Sequence, residues 1–155
     1  MTAASNYLEN EVLDHILGEG ARDFTSPANL YVALFADSGS GAATALESGD
    51  GTTGSTANWG YYEINNGSYA RQAVNFAAAS SGSATTSGTV TFPQATADYD
   101  SAGSTGNIIT HIAVVDGNTP GAGNVLFYGA LTTTKTVTNG DTFQINAGSL
   151  TISLA

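Results

Sequence analysis

The chain lacks cysteine altogether and has very few basic side chains. Its 155 residues contain three Lys or Arg against 13 Asp or Glu, for a formal net charge of −10. Without cysteine there are no disulfides, no thiolate metal sites and no cysteine nucleophiles. Binding to nucleic acid needs Lys and Arg to neutralise phosphates, so three cations argue against it. Binding to an anionic membrane surface is disfavoured for the same reason.

Charge of either sign is scarce, and so are long apolar runs. Charged residues make up 10% of the chain, against roughly 25% in typical globular domains. The surface must therefore consist mainly of Ser, Thr, Asn, Gly and Ala, which favours close packing against neighbouring proteins. No apolar run approaches the roughly 18 residues of a membrane-spanning helix. The N-terminal MTAASNYLENEVLDH carries acids and no basic region, so we expect no Sec signal.

One segment near the N-terminus, residues 6–17 (NYLENEVLDHIL), has clear helical periodicity. Asn6 and Glu9 match a capping-box pattern, which predicts Asn6 as the N-cap. Apolar residues recur at helical spacing behind it. This face would dock on a sheet or contact another subunit, and its residues are Leu8, Val12 and Ile16.

The rest of the chain is typical of short strands separated by turns. The predicted strands lie at 28–36, 61–64, 69–78, 89–93, 107–117, 124–132, 134–145 (a hairpin) and 149–154. A parallel α/β fold would need helices between these strands, and none is recognisable. We therefore predict an all-β fold, an antiparallel β-sandwich or jelly-roll-like domain of about eight strands with one short N-terminal α-helix. We expect a single domain over residues 1–155.

Two long segments rich in Gly, Ser and Thr, residues 37–60 and 98–107, are predicted as loops. Loops of such length are usually functional or flexible. ESGDGTTG (47–54) and ADYDSAG (97–103) offer oxygen ligands of the kind that calcium binds. Neither has the order of an EF-hand loop, and plain polar loops are the simpler interpretation. We expect no cofactor, with loop-bound calcium as the remaining alternative.

The chain offers little that resembles an active site. Its histidines are His15, in the predicted helix, and His111, in a predicted strand. No serine lies in a G-x-S-x-G elbow. The acids fall mostly in loops, where sequence alone cannot bring two together at the spacing that glycoside hydrolysis requires. We therefore expect no enzyme and no catalytic residue.

Four aromatic residues in or beside loops could stack on a sugar: Trp59, Tyr61, Tyr62 and Tyr99. Trp59-Gly60-Tyr61-Tyr62 is the best such cluster. A hydrophobic plug at one end of the fold is the more ordinary role for such rings. These four residues are the candidates for glycan contact.

One of the three cations, Arg71, lies in the predicted strand GSYARQAVNFAAA (67–79). Strand alternation places Tyr69 on the same face as Arg71. An arginine on a half-covered strand usually packs its stem on neighbours and pairs its guanidinium with a carboxylate or carbonyls. We predict that Arg71 and Tyr69 are structural or subunit-contact residues. Whether the acidic partner lies in the same subunit or in the next stays open, and ligand binding is the least favoured role.

The stretches SYARQAV, TFPQATADY and GDTFQINAGSLTISL, together with the LENEVLDHILG helix, resemble a widespread group of small bacteriophage virion proteins. Its members are often labelled tail-fibre or minor structural proteins, and the likeness covers nearly the whole chain. The resemblance implies a non-enzymatic structural protein of the virion. The acidic balance of the chain is compatible with an outer position away from DNA, so we expect a protein made in the host cytoplasm and located on the exterior of the phage particle.

Within that class, the leading interpretation is a capsid decoration (cement) protein that acts by self-association and packing. Decoration proteins are often trimers, so we expect a homo-oligomer, with a trimer favoured, that also contacts other virion proteins. The alternative is a tail-fibre or tail-associated module that binds a receptor or a host-surface glycan.

Overall fold

The computed structural model describes residues 3–18, 25–37, 39, 41–48, 58–103 and 107–153. In chain order the elements are β1 (Ala3–Ala4), α1 (Asn6–Leu17), β2 (Leu30–Ala36), α2 (Gly41–Ser48), a 3-10 helix (Trp59–Tyr61), β3 (Gln72–Val74), β4 (Ser83–Thr85), β5 (Val90–Thr91), β6 (Ile108–Val115), β7 (Val125–Thr136), β8 (Gln144–Ile145) and β9 (Thr151–Ser153). The prediction of a mostly β fold behind an N-terminal helix is confirmed. None of the helices in the described part of the chain is long and apolar enough to cross a membrane.

All the strand pairs are antiparallel. Five strands form one sheet in the order β1-β7-β6-β2-β3. The other four form two short ladders, β4 with β9 and β5 with β8. In the part of the chain that the structure describes, the layer packed on one face of the sheet therefore consists of two- and three-residue strands and their connections.

Strand β2 lies at the centre of the molecule and is covered on both faces. Val32, Leu34 and Ala36 contribute to one hydrophobic core, which the residues around β5 and β8 complete. Ala33 and Phe35 contribute to a second core on the opposite face, beneath α2 and the 3-10 helix. The alternation of side chains along a strand accounts for this division.

Helix α2 lies inside the segment 37–60 that was predicted as a loop, so that prediction was wrong for residues 41–48. The carboxylate of Asp37 accepts a hydrogen bond from the backbone N–H of Ala42 at 2.9 Å and so caps the start of the helix. Ala42, Ala45 and Leu46 are buried in the second core. These mostly small residues recur at helical spacing and form the contact with the core. Because Ala adds little hydrophobic contrast, the helical pattern was not recognised in the sequence.

Three strand predictions also need correction. The segment 69–78 contributes only the three residues of β3. In 61–64, Tyr61 ends the 3-10 helix, and the residues after it run antiparallel to β2, with an isolated bridge between Glu63 and Phe35. The predicted hairpin at 134–145 does not form, because β7 pairs with β6 and β1 whereas β8 pairs with β5. A turn is present between them, where Thr138 donates its backbone N–H and its hydroxyl to the Asp141 carboxylate at 2.9 and 2.7 Å.

Candidate functional site

Arg71 is buried and forms an ion pair with Glu63 of its own chain. The Nε of Arg71 donates to Oε1 of Glu63 at 2.7 Å, and its Nη2 donates to Oε2 at 2.8 Å. Two parallel hydrogen bonds of this kind fix the relative orientation of both side chains. In this structure the acidic partner of Arg71 therefore lies within the subunit.

The same ion pair holds the loop between β6 and β7. The Nη1 of Arg71 donates to the carbonyl oxygens of Gly117 and Ala122 at 2.7 and 2.9 Å. The backbone N–H of Gly121 donates to Oε2 of Glu63 at 2.6 Å. Because one charged pair satisfies three backbone groups, the loop is fixed to the body of the protein at three points.

Tyr69 and Trp59 complete the surroundings of the pair. The hydroxyl of Tyr69 donates to Oε1 of Glu63 at 2.9 Å and accepts from the backbone N–H of Leu34 at 3.1 Å. Burial, together with the nearby negative charge of Glu63, raises the pKa of Tyr69 well above its usual value. The guanidinium carbon of Arg71 lies 5.3 Å from the centre of the Trp59 ring, within the range of a cation–π contact.

The base of the β6–β7 loop is closed by a second set of contacts. The carboxylate of Asp116 accepts from the backbone N–H of Asn124 at 2.7 Å and from its side-chain amide at 2.8 Å. The residues at the tip, Asn118, Thr119 and Pro120, are exposed. The Arg71 network thus presents a short exposed tip on a fixed backbone, and it offers no open face of the arginine to a small ligand.

The aromatic residues named as glycan-contact candidates are mostly inside the protein. Trp59 and Tyr99 are fully buried, Tyr62 is nearly so, and Tyr61 is half-buried. Trp59 packs edge-to-face against Phe35, with ring centres 6.2 Å apart. Their burial follows from their place in the two cores, so Trp59 and Tyr99 expose no ring face on which a sugar could stack.

The acids of the candidate calcium loop 97–103 bind protein groups. The carboxylate of Asp98 accepts from the side-chain amide of Asn107 at 3.1 Å and from the backbone N–H of Asn139 at 2.9 Å. That of Asp100 accepts from the backbone N–H of Asn107 at 2.8 Å. No group of three or more His, Asp or Glu suited to a metal occurs among the described residues. Most of the other candidate loop, 47–54, lies outside them.

The two histidines lie in different surroundings. His111 is half-buried on β6, and its Nδ1 lies 3.0 Å from the hydroxyl of Thr110. Burial lowers the pKa of His111, and the charge of Asp37 opposes that shift. His15 is exposed in the last turn of α1.

The start of α1 is fixed to the sheet by Ser5, which is the N-cap in place of the predicted Asn6. The hydroxyl oxygen of Ser5 accepts from the backbone N–H of Leu8 at 3.3 Å and donates its proton to the carbonyl of Val125. Its backbone N–H donates to the carbonyl of Leu126 at 3.0 Å. A serine immediately before the helix was the available sequence signal.

The apolar side chains of α1 become more exposed toward its C-terminal end. Leu8 is 8% exposed, Val12 36%, Leu13 52%, Ile16 71% and Leu17 69%. Four of the five large hydrophobic side chains that are exposed in the described part of the chain belong to this helix. Such a concentration is typical of surfaces that contact another molecule.

A largely apolar groove of about 520 Å³ runs between α1 and the adjoining strands. Its lining residues include Leu8, Glu9, Val12 and Leu13 on the helix and Pro27, Leu30, Leu126 and Phe127 on the other side. We call the groove together with the exposed residues Leu13, Ile16 and Leu17 the α1 surface. Leu8 and Val12, both predicted as contact candidates, therefore lie in the groove, and Ile16 lies beyond it.

One family model matches residues 3–153, nearly the whole chain, and the family is one of bacteriophage fibre proteins. The fold and the match together define a structural protein of the phage virion, which confirms the resemblance found in the sequence. The chain belongs to the family described as Podophage GP4 fiber I protein gp80. No curated protein matches it. As a member of a fibre family, it is a virion component that associates with other virion proteins.

Proposed function

We propose that the chain is a non-enzymatic component of a phage tail fibre, on the exterior of the particle, and that it acts by packing its α1 surface against another virion protein. The observation that carries this proposal is the exposure of Val12, Leu13, Ile16 and Leu17 on one helix whose first turn is fixed to the sheet. The description of the family favours a fibre over the capsid decoration role that the sequence suggested.

The α1 surface is suited to a permanent contact. Burying a large apolar side chain stabilises a complex by about 1.5–3 kcal/mol relative to leaving it in water, and four such side chains lie together here. Because Ser5 holds the start of the helix in place, little conformational entropy would be lost when a partner binds. The low charge of the rest of the surface is compatible with dense packing.

The Arg71 network supports a structural role rather than a chemical one. Glu63 and Arg71 are both buried, and their polar atoms are engaged with each other, with Tyr69 and with the β6–β7 loop. An ionisable pair saturated in this way keeps its surroundings rigid and is poorly placed to transfer a proton. The buried rings of Trp59 and Tyr99 likewise favour protein contact over direct stacking on a host-surface glycan.

A reconstruction of the purified virion tests the proposal. We expect this chain in density at the tail, in the few-to-few-dozen copies that fibres have, with α1 against a neighbouring protein. Particles that lack the chain should lose that fibre density and keep an intact capsid. Copies spread in their hundreds over the capsid faces would instead support decoration, and absence of the chain from purified particles would overturn a virion role.

A further inference from the structure

The α1 surface carries information on the chemistry of its partner. Resting on the proposed function above, we propose that its occupant is a different chain, which presents an amphipathic helix with an apolar face bordered by Lys or Arg. A second copy of this chain does not fit. Three observations support this proposal: the acids that border the surface, the lack of cations to neutralise them, and the shape of the groove.

Acidic side chains lie within the α1 surface and on both of its borders. Glu9 is the one charged residue among the described residues that line the groove. At about 100° per helical residue, Glu11 falls on the side of Leu8 and Asp14 on the side of Leu17. His15, the one basic group of α1, is four residues beyond Glu11. The helix therefore surrounds its apolar face with three carboxylates.

The negative charge extends beyond α1 to Glu47 on α2, which contacts the neighbouring strand β7. The hydroxyl of Tyr128 on β7 donates a hydrogen bond to the carboxylate of Glu47 on α2. Burial, the hydrogen bond to Glu47 and the charges of Glu47 and Glu9 together raise the pKa of Tyr128 to about 12. Glu9 and Glu47 thus act on the same hydroxyl. In the described part of the chain neither of them forms an ion pair.

A second copy could supply almost no compensating charge. The chain has three Lys or Arg against 13 acids. Arg71 is buried against Glu63, Lys135 lies on β7, and Arg22 falls outside the described residues. Two α1 surfaces in contact would bring six helix carboxylates together, and like charges across an interface oppose binding. A partner with Lys or Arg beside its apolar residues gains attraction from the same carboxylates.

The shape of the groove favours a helix as the partner element. α1 has 12 residues and is therefore about 18 Å long, and the groove lies along its first two turns against Leu126 and Phe127. An amphipathic helix laid in such a groove places apolar residues at i, i+3, i+4 and i+7 against it. Its polar flanks then face Glu11 on one side and Asp14 on the other, with Glu9 between them.

The assembled particle provides the first test. A photoreactive amino acid at position 17 (Leu17→p-benzoylphenylalanine), introduced into the chain within the virion, should cross-link to a different virion protein. We expect the cross-linked peptide to be apolar with flanking Lys or Arg. Cross-links only to other copies of this chain, no cross-link at all, or a peptide without basic residues would each overturn the inference. Absence of the chain from the particle would instead contradict the proposed function.

A peptide pair provides the second test, on the isolated full chain. The probes are two amphipathic helical peptides with the same Leu face, one with Lys and one with Glu along its borders. We expect the Lys peptide to bind at least about tenfold more tightly at low salt, and the difference to shrink as salt screens the charges. Equal affinities for the two peptides would overturn the charge argument, whatever the particle shows.

Matched variants then locate the binding site. The double variant Ile16→Ser, Leu17→Ser changes exposed side chains only, so the fold should be kept while binding of the Lys peptide falls by at least about tenfold. Ile108→Ser changes the one large exposed hydrophobic side chain outside α1 in the described part of the chain and should leave binding unchanged. Glu9→Gln should weaken the Lys peptide and not the Glu peptide. Equal effects of the two serine variants would show that the peptide binds elsewhere.

Discussion

Arg71 and Glu63 lie eight residues apart in the chain and meet inside the protein through two hydrogen bonds of 2.7 and 2.8 Å. Removing one member of a buried pair leaves the other charge without its partner, which typically costs about 3–5 kcal/mol. We expect Arg71→Met to lower the free energy of unfolding by that order, measured by urea denaturation. Lys135→Met removes an exposed cation and should change stability little. A normal unfolding curve for Arg71→Met would contradict a structural role for the pair.

Because the pair also holds the β6–β7 loop, the double variant Glu63→Gln, Arg71→Met tests the anchoring of the loop separately from the cost of an unpaired charge. It removes both charges, so it should be less destabilised than the sum of the two single variants. The amide hydrogens of Gly121 and Ala122 should nonetheless exchange faster than in the parent protein, since the loop has lost its anchor. Unchanged exchange at these two positions would mean that other contacts fix the loop.

Ser5 should matter more to stability than Asn6, although the sequence pattern favoured Asn6 as the helix cap. Ser5→Ala removes the acceptor of the Leu8 N–H and the donor to the Val125 carbonyl. We expect a loss of about 1–2 kcal/mol. Asn6→Ala, at an exposed position of the first turn, serves as the control and should cost much less. Equal losses in thermal unfolding would contradict the assignment of the cap.

Stability should fall as the pH is lowered from neutral through the ordinary pKa of histidine, about 6.5. The pKa of His111 is lowered in the folded protein because the ring is half-buried. The unfolded chain therefore takes up a proton at a higher pH than the folded protein does, and protonation favours unfolding. The loss is complete once the pH is below the folded pKa. His111→Gln should flatten the dependence of the unfolding free energy on pH between about 7.5 and 5.5; an unchanged slope would contradict this account.

Gly67→Ala should be destabilising, whereas Gly88→Ala should not. Gly67 has φ of +63°, and a Cβ there would lie 2.5 Å from the carbonyl oxygen of Ala97. Both the backbone conformation and the contact oppose a side chain, so we expect a loss of at least about 1 kcal/mol. A Cβ on Gly88 meets nothing within 4 Å. Thermal unfolding of the two variants measures the difference, and a similar melting temperature for both would show that the turn at Gly67 can relax.

Much of the fold could be predicted from alternating hydrophobicity, because β2 and β6 carry their apolar residues continuously and few other structures fit such runs. Helix α2 was missed since Ala, Gly and Thr give little periodic contrast. The hairpin at 134–145 was a wrong prediction for another reason: local turn chemistry at Thr138 and Asp141 fixes the turn but not the partners of the strands that leave it. Strand pairing depends on residues that are distant in the sequence, and a single segment contains no information about them.

The candidate site was predictable only in part. Periodicity identified the apolar face of α1, but it could not tell that Leu8 would be covered and Ile16 left in water, since that depends on which turn of the helix lies against the start of β7. Arg71 was singled out by its rarity, and alternation placed Tyr69 beside it. Glu63 was not recognised as the partner, because it bridges to Phe35 on β2 and no spacing rule relates that position to Arg71, just before β3.

The anchoring of the β6–β7 loop has a consequence for sequence variation. The bonds from Arg71 and Glu63 reach the loop through backbone atoms of Gly117, Gly121 and Ala122, so they do not depend on the side chains at the tip. Residues 118–120 can therefore be exchanged without loosening the loop. The exposed surface of this virion protein can thus vary at the loop tip while the stability of the fold is unchanged.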